Sequence, residues 1–488
     1  MSTSAVCPLP RTSPESQGLA SDALLALVDA LEARCPHVHS LMVLRRGQVV
    51  AEGWWAPYRR DERHMLFSLS KSFCSTAAGF AVAEGRLSLD DYVTSFFPDD
   101  LPADISANLA AMRVRHLLSM STGHSEDTLS HIMRGQESNW AKVFLGCPVT
   151  HTPGTFFLYN SGATYMVSAI VQSVTGQKIV DYLQPRLFDP LGIAPPVWDE
   201  CPRGINTSGW GLNVTTEDIA RFGQLYLQDG LWQGERVLPA GWVAEATRRH
   251  VSNGTDPESD WAQGYGFQFW RCRHNAYRGD GAFGQLCLVL PEAETVVAMT
   301  SGLADFQGLL NCLWDHLLPA LAIGEAARPD DRAAQQRLAA KLDSLMLPAP
   351  AGAASSPLAA AIDGTVYELE PNEQGLSSVR FDLAARRLVF SGADGLRETE
   401  FAWDGAWRDG MSRWPAPSPG PTLPQKAAAS AAWLADNTLA VASCGYSTPS
   451  TLTLTATFEG DALTLAQALD FSFGPTAWPD LKGRRTPA

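Results

Sequence analysis

Residues 68–84 read SLSKSFCSTAAGFAVAE, a run rich in Ala and apolar on every face a helix of this sequence would present. A helix that is apolar all round is stable only where other elements cover it, so this segment belongs at the centre of a domain. It nonetheless carries a lysine. The chain has six Lys against 31 Arg, and Lys71 is the only one before residue 142. Arg keeps its charge at any working pH, whereas a desolvated Lys can lose its proton and act as a base. Burying an unpaired ammonium is costly, so Lys71 needs a partner or a function. Ser68 stands three residues earlier, one helical turn away on the same face. A serine hydroxyl is a weak nucleophile until a neighbouring base takes its proton, and a neutral buried amine can do so. A helix N-terminus adds unpaired N–H groups and a positive field, which favour a developing oxyanion and depress the pKa of the amine.

The rest of the chain divides into three stretches. SDALLALVDALEARC (residues 21–35) has Leu at helical spacing behind a Ser/Asp start, and SLMVLRRGQVVAEGWW has two apolar runs around Arg45, Arg46, Gly47 and Gln48, a hairpin signal. Residues 105–250 are mostly helical in pattern, with helices predicted at GATYMVSAIVQSVTG and TTEDIARFGQLYLQDG, each closed by Gly. Strands return at YGFQFWRCR and LCLVLPEAETVVAMTSG, followed by a long helix over ADFQGLLNCLWDHLLPAL. Strands at both ends of a helical insert form one antiparallel sheet closed by sequence-distant pairing. Residues 345–361, LMLPAPAGAASSPLAAA, read as a linker. Beyond it lie about seven short alternating segments: TVYELE, VRFDL, RRLVFSG, ETEFAW, LAVASC, TLTLTATFEG and LTLAQALDFSFG. They predict a small β-sandwich or barrel-like domain. The expected division is residues 1–325, a helix and linker over 326–360, and a β-domain over 361–488.

At 488 residues the chain exceeds one compact core, and 45% hydrophobic with 18% charged residues is a globular composition. A net charge of -15 argues against nucleic acid or an anionic membrane as partner, because both require a basic patch. The N-terminal residues have no basic-then-apolar signal pattern, and no run of about 18 apolar residues predicts a membrane span. The nine cysteines are odd in number, scattered and without a CxxC pair. Free thiols in a reducing cytoplasm are the expectation, with Cys74 a small apolar helix residue.

FSLSKSFCS resembles the Ser-x-x-Lys segment of the serine β-lactamase and penicillin-recognising superfamily, in particular its class C-like branch of esterases, D-peptidases and amide hydrolases. RVRHLLSMSTGH (residues 113–124) is similar to that branch's RHLLTHTSG stretch, and HTPGTFFLYNSGATYMVSAIVQSVTG (151–176) resembles its PGxxxxYSNxGYxLLGxIIExxTG segment. LFDPLGI and GWGLNVTTEDIARFGQLYL follow in the expected order, so the resemblance spans about residues 13–322. It implies an α/β (α+β) fold: a β-lactamase-like antiparallel sheet flanked by helices, plus a helical subdomain. It also implies Ser68 as nucleophile, with Lys71 and Tyr159 handling protons. Ser161 stands where the family has Asn, with Asn160 beside it. Trp210 in GWGLN is a candidate wall of the acyl pocket.

One family motif is missing. The superfamily places Lys-Thr-Gly or His-x-Gly on a strand lining the site, but no Lys occurs between 178 and 341. The best equivalent is YRGDGAFGQLCLVLP, which puts Asp280, Gly281 and Ala282 on the motif, with oxyanion donors at the N–H groups of Ser68 and Phe283. Such donors depend on backbone position rather than side chain. Arg278 is a candidate substitute for the missing cation. Residues 279–284, GDGAFG, also fit a dinucleotide-binding GxGxxG, but a strand follows where that fingerprint needs a helix. No GxSxG elbow and no HExxH occur; His37 and His39 read as structural, and His124, Glu126 and Asp127 as polar residues near the site.

The expected protein is a serine hydrolase working through a covalent acyl-enzyme on small esters or amides, without metal or cofactor. The competing readings are a D-amino-acid peptidase, D-Ala carboxypeptidase or weak β-lactamase, and a non-catalytic sensor of the same fold. Its partner is a small ester, amide or peptide, and the sequence defines no oligomeric state.

Overall fold

The computed structural model describes residues 8–321, 326–393, 395–413 and 425–486; the start of the leader, with Cys7, lies outside them. A six-stranded antiparallel sheet organises the first part. Its order is Gln48–Trp54, Val38–Arg45, Thr295–Ser301, Gln285–Leu290, Tyr277–Gly281, Trp270–Arg271. The predicted N-terminal hairpin turns at Arg46 and Gly47, both at positive φ (49° and 76°), the two-residue turn that matches strand twist. Leu41 and Val43 face a layer of helices containing Leu27, Leu31 and Leu310, while Met42 and Leu44 face the opposite core with Phe73 and Phe222. Both faces are covered, so the strand sequences are continuously apolar rather than alternating.

On one side lie the helices Ser21–Arg34 and Phe306–His316, with Arg332–Asp343 packed on the first of these. On the other, the Thr216–Leu227 helix rests on the sheet, its entry fixed by Thr215 and Asp218 in a reciprocal capping box. A Cβ at Gly223 would lie 2.6 Å from Val296 and 2.9 Å from Cys287, so only Gly allows this helix so close to the strands. Beyond it sit Ser70–Ala83 and Ser161–Thr175, packed together, with the first buried along almost its whole length as its composition requires.

Two predicted elements differ. YGFQFWRCR contributes only the two-residue strand Trp270–Arg271, because Gln268 adopts φ 64° and its side chain spans to Thr164 and the carbonyls of Leu117 and Leu118. The helix predicted to run to residue 321 stops at His316, ahead of the short turn Leu318–Ala320 whose Pro319 has no N–H to give.

The C-terminal part is a ten-stranded barrel-like sheet in meander order, enclosing Tyr367, Phe381, Phe390, Val441, Leu454 and Phe458. Three strands escape the sequence pattern: Arg408–Ser412, Gln425–Ala435 and Ala477–Arg485. QKAAASAAWLA is Ala-rich and helix-prone, yet pairs on both edges. Ala429 and Ala431 face the barrel interior, and Ala428 packs with Cys444 and Tyr446 in the core shared with Trp55 and Tyr58. The β-domain is thus seated directly on the first part. Tyr58 donates to the Thr448 carbonyl (2.6 Å), Met65 N–H donates to the Ser447 carbonyl (3.0 Å), and Lys426 pairs with Glu62 (2.8 Å).

Asp470 lies at this seam. Its Oδ1 accepts from the N–H groups of Thr451 and Phe471, while Oδ2 faces His37 Nδ1 at 3.6 Å, with Tyr58 and Cys444 also within its field. Burial pushes its carboxyl up from the ordinary 3.8 to about 7, against the backbone N–H groups that favour the charged form, and burial also lowers the His37 pKa. The folded chain therefore keeps a proton here that the unfolded chain releases. The contribution to stability is complete below pH 4 and falls by about 1.4 kcal/mol per pH unit until it is lost above pH 7. Asp470→Asn is expected to gain stability relative to the parent as pH rises from 4.5 to 7, with the gap then level; urea midpoints across that range check it, and a constant gap would refute it.

Candidate active site

The chain enters the central helix through the short strand His64–Met65 and the turn Phe67–Leu69, with Phe67 at φ 45°. This places Ser68 part-exposed at the helix start, one turn from Lys71, which is 1% exposed. Lys71 Nζ donates to Ser68 Oγ at 2.8 Å and to the Gly209 carbonyl at 2.7 Å, and lies 4.8 Å from the Tyr159 ring centroid. Burial lowers its pKa from 10.5 to about 7, against the charges of Asp127 and Asp280, which raise it. The amine can therefore exchange its proton near neutrality. Ser70 Oγ accepts from Leu212 N–H (3.1 Å) and Ser72 Oγ donates to the Gln268 carbonyl (2.8 Å), fixing the segment from both sides.

Gly209 was not legible as a site residue. It sits in a tight bend between Ser208 (φ 57°) and Gly211 (φ 96°), and a Cβ on it would press on Ser161 at 3.1 to 3.3 Å. The only sequence signal was the glycine pattern of GWGLN. Trp210 beside it stacks on Trp140 (centroids 6.0 Å apart), and its carbonyl accepts from Trp198 and Thr207.

Tyr159 precedes the Ser161–Thr175 helix and stacks on Trp270 at 5.4 Å. Burial raises its pKa, Asp280 and Asp127 add to the effect, and hydrogen bonding with Ser68 works the other way. The phenol stays protonated where Lys71 titrates. Asn160 is fully buried and N-caps the helix, its Oδ1 accepting from Ala163 N–H and from Thr128, while its Nδ2 is buried without a hydrogen-bond partner among the described residues. Ser161 packs beside Gly209, and its N–H donates to Asp127 Oδ1 at 3.0 Å. Of the polar residues after the STG loop, Asp127 alone reaches the site: Glu126 pairs outward with His131, and His124 is buried against Phe144 with its pKa down at about 4.

The strand Tyr277–Gly281 runs directly past the Phe67–Leu69 turn. A Cβ at Gly279 would lie 2.5 Å from Ser72 Oγ, and one at Gly281 would collide with the Leu66 carbonyl, so the GDG spacing serves close backbone approach. At the end of this strand Phe283 adopts φ 64°, and its N–H meets no backbone acceptor among the described residues. Gln285 braces the bend through the carbonyls of Ala282 (3.0 Å) and Ser301 (2.7 Å). Arg278 is fully buried. It is paired with Asp280 at 2.8 Å, donates to the Asp260 carbonyl and Cys272 Sγ, and is boxed by Trp261, Trp270 and Phe306. Only Nη2 is left without a partner among the described residues, and it is buried. Asp280 lies nearer the reacting groups, its pKa raised by burial against the pull of Arg278 and Lys71. Among the described residues no cluster of His, Cys, Asp and Glu could hold a metal; His39 and His64 face one another at 3.2 Å in the core.

The β-lactamase family model matches residues 28–307, more than half of the chain, and those bounds contain Ser68, Lys71, Tyr159 and Phe283. The chain belongs to the β-lactamase family. A 6-aminohexanoate-dimer hydrolase of Paenarthrobacter ureafaciens is 27% identical over 62% of this chain and 83% of its own. Penicillin-binding protein 4 of Amycolatopsis lactamdurans is 28% identical over 57% and 81%. The crystal structure of SurE with D-Leu, 19% identical, covers 86% of this chain and 97% of that one at a TM-score of 0.51, a likeness of fold that extends into the β-domain. This β-lactamase-family protein is a serine hydrolase, and no helix among its described residues is long and apolar enough to cross a membrane.

In this β-lactamase-family site the buried amine has a measurable signature. Between pH 7 and 10.5 the unfolded chain binds a proton at Lys71 that the folded chain does not. The resulting cost is absent above pH 10.5, grows by about 1.4 kcal/mol per unit as pH falls, and levels below 7. Lys71→Met removes it. The stability gap between variant and parent is expected to shrink from pH 7 to pH 10, as read by urea midpoints; a gap independent of pH would contradict the assignment.

Proposed function

We propose that the protein hydrolyses small esters or amides that carry no carboxylate next to the scissile bond, through acylation of Ser68. The observation that carries this reading is Lys71 Nζ held between Ser68 Oγ and the Gly209 carbonyl with a pKa near neutrality. Neutral Lys71 takes the Ser68 proton as Oγ attacks the carbonyl carbon. The charge arising on the carbonyl oxygen falls to the N–H groups of Ser68 and Phe283. Tyr159, still protonated, gives its proton to the departing alcohol or amine and regains one from the protonated Lys71. Water then attacks the acyl ester, its proton passing to Lys71, which returns it to the departing Ser68 Oγ.

Arg278 bears on the substrate class. A guanidinium paired with Asp280 and boxed by three aromatic rings has only Nη2 without a partner among the described residues, and that atom is buried away from solvent, which sets it against clamping a terminal carboxylate. This disfavours a D-Ala carboxypeptidase and leaves neutral esters and amides; the relative that acts on an aminohexanoate dimer supports an amide bond within reach. Unpaired cysteines at all eight described positions accord with a reducing, cytoplasmic setting.

A nitrophenyl ester, a D-alanyl-D-alanine peptide and a chromogenic cephalosporin, each with Ser68→Ala as control, test the reading. Ester turnover without peptide turnover is expected, and Ser68→Ala should abolish it; full activity in that variant would sink the proposal, and a stoichiometric burst without turnover would make the protein a sensor. Because the neutral amine is the active form, kcat/KM should rise with pH through about 7 and then level. Lys71→Arg, which keeps the charge but cannot act as base, should lose roughly 10²- to 10⁴-fold together with that limb.

A further inference from the structure

The segment LTLAQALDFSFG reads as one strand in sequence, but the strand Ala462–Leu469 ends and the chain turns through residues 470–476 before Ala477–Arg485. This turn points at the active site. Phe473 is 74% exposed, the most exposed of the large apolar side chains described, yet its ring lies 5.7 Å from that of Phe67 and 4.8 Å from that of Phe283. Phe67 and Phe283 also meet edge to face at 5.5 Å. One of these residues immediately precedes the nucleophile, and the other carries the second oxyanion donor.

The turn is held in place. Asp470 Oδ1 accepts from Thr451 and Phe471 N–H, Ser450 Oγ donates to the Phe471 carbonyl (2.9 Å), and Leu469 N–H donates to the Thr476 carbonyl (2.7 Å). Phe471 is buried against His37 and Phe283, and Gly302 has no room for a Cβ because the Phe471 ring and the Pro449 carbonyl occupy it. Both seats of the turn are thus fixed, one by its own domain and one by the sheet that lines the site. An exposed phenyl on a braced turn costs apolar exposure in the free protein, and a ligand that covers it recovers that area.

We propose that the β-domain completes the substrate site, with Phe473, Phe67 and Phe283 forming an apolar rim that selects substrates bearing a bulky apolar or aromatic group beside the scissile bond. The proposal rests on Ser68 as nucleophile. A substrate whose carbonyl sits between the N–H groups of Ser68 and Phe283 must pass its flanking group across these rings. Stacking of one aromatic group on Phe473 accounts for a preference of about five- to tenfold. Phe473 is a specificity residue here, not a catalytic one.

The test compares the full-length protein with Phe473→Ala and Phe473→Leu on two substrate pairs: nitrophenyl acetate against nitrophenyl phenylacetate, and ethyl acetate against benzyl acetate. Phe473→Ala is expected to lower kcat/KM about five- to tenfold for the aromatic member of at least one pair, mainly through KM, with the small member within twofold. Phe473→Leu should recover part of the loss. Equal change in both members of both pairs, no change, or no turnover of any of the four overturns the proposal. Ser68→Ala run alongside separates the two readings: if it keeps the activity, the nucleophile assignment fails whatever the Phe473 profile shows.

Discussion

One amine is kept away from water in the middle of the larger core, and much of the surrounding structure follows from that. An ammonium on the surface would hold its proton far above neutral pH. Lys71 is surrounded by an apolar helix, the Tyr159 ring and the bend at Gly209, and loses that preference. Asp127 and Asp280 limit the shift, so the group stays titratable instead of permanently neutral. The same burial acts on Tyr159 with the opposite sign, because for a phenol the charged form is the deprotonated one. A shared low-dielectric environment thus moves the two groups in opposite directions without any strong ion pair between them.

Geometry at the reacting centre comes from backbone rather than from long polar side chains. Phe67 and Phe283 both occupy positive φ, a conformation that costs of order 1–3 kcal/mol for such residues and persists only where packing enforces it. Here the enforcement is mutual, since their rings pack on one another while Gly279 and Gly281 let the neighbouring strand close on the turn. In the proposed mechanism the oxyanion position is accordingly independent of the missing Lys-Thr-Gly motif. What that motif would add, a free cation, is replaced by an ion pair sealed inside an aromatic box.

Three helices were legible from sequence: Ser21–Arg34 through its Leu spacing, and Ser161–Thr175 and Thr216–Leu227 through their caps and the glycines that follow them. Ser68, Lys71 and Tyr159 were legible because their order along the chain resembled a known family, and the structure brings them together. Gly209 was not, because a backbone carbonyl carries no residue signature. The fate of Arg278 was hidden for a related reason: Asp280 lies two residues along the same strand, but Asp260 and Cys272 come from segments that the fold brings to it. In the β-domain, Gln425–Ala435 reads as helix by composition, and tertiary pairing overrides it.

The central sheet joins Arg45 to Thr295 and Val38 to Ser301 across the whole helical insert. At a synthesis rate of roughly 5–20 residues per second, the 250 residues between Arg45 and Thr295 take about 12–50 s to emerge. Throughout that interval the edge of Val38–Arg45 that will meet Thr295–Ser301 is unpaired, and the apolar run that becomes the central helix has no sheet to cover it. The nascent chain therefore carries its most aggregation-prone surface from early in translation until its last core strand arrives.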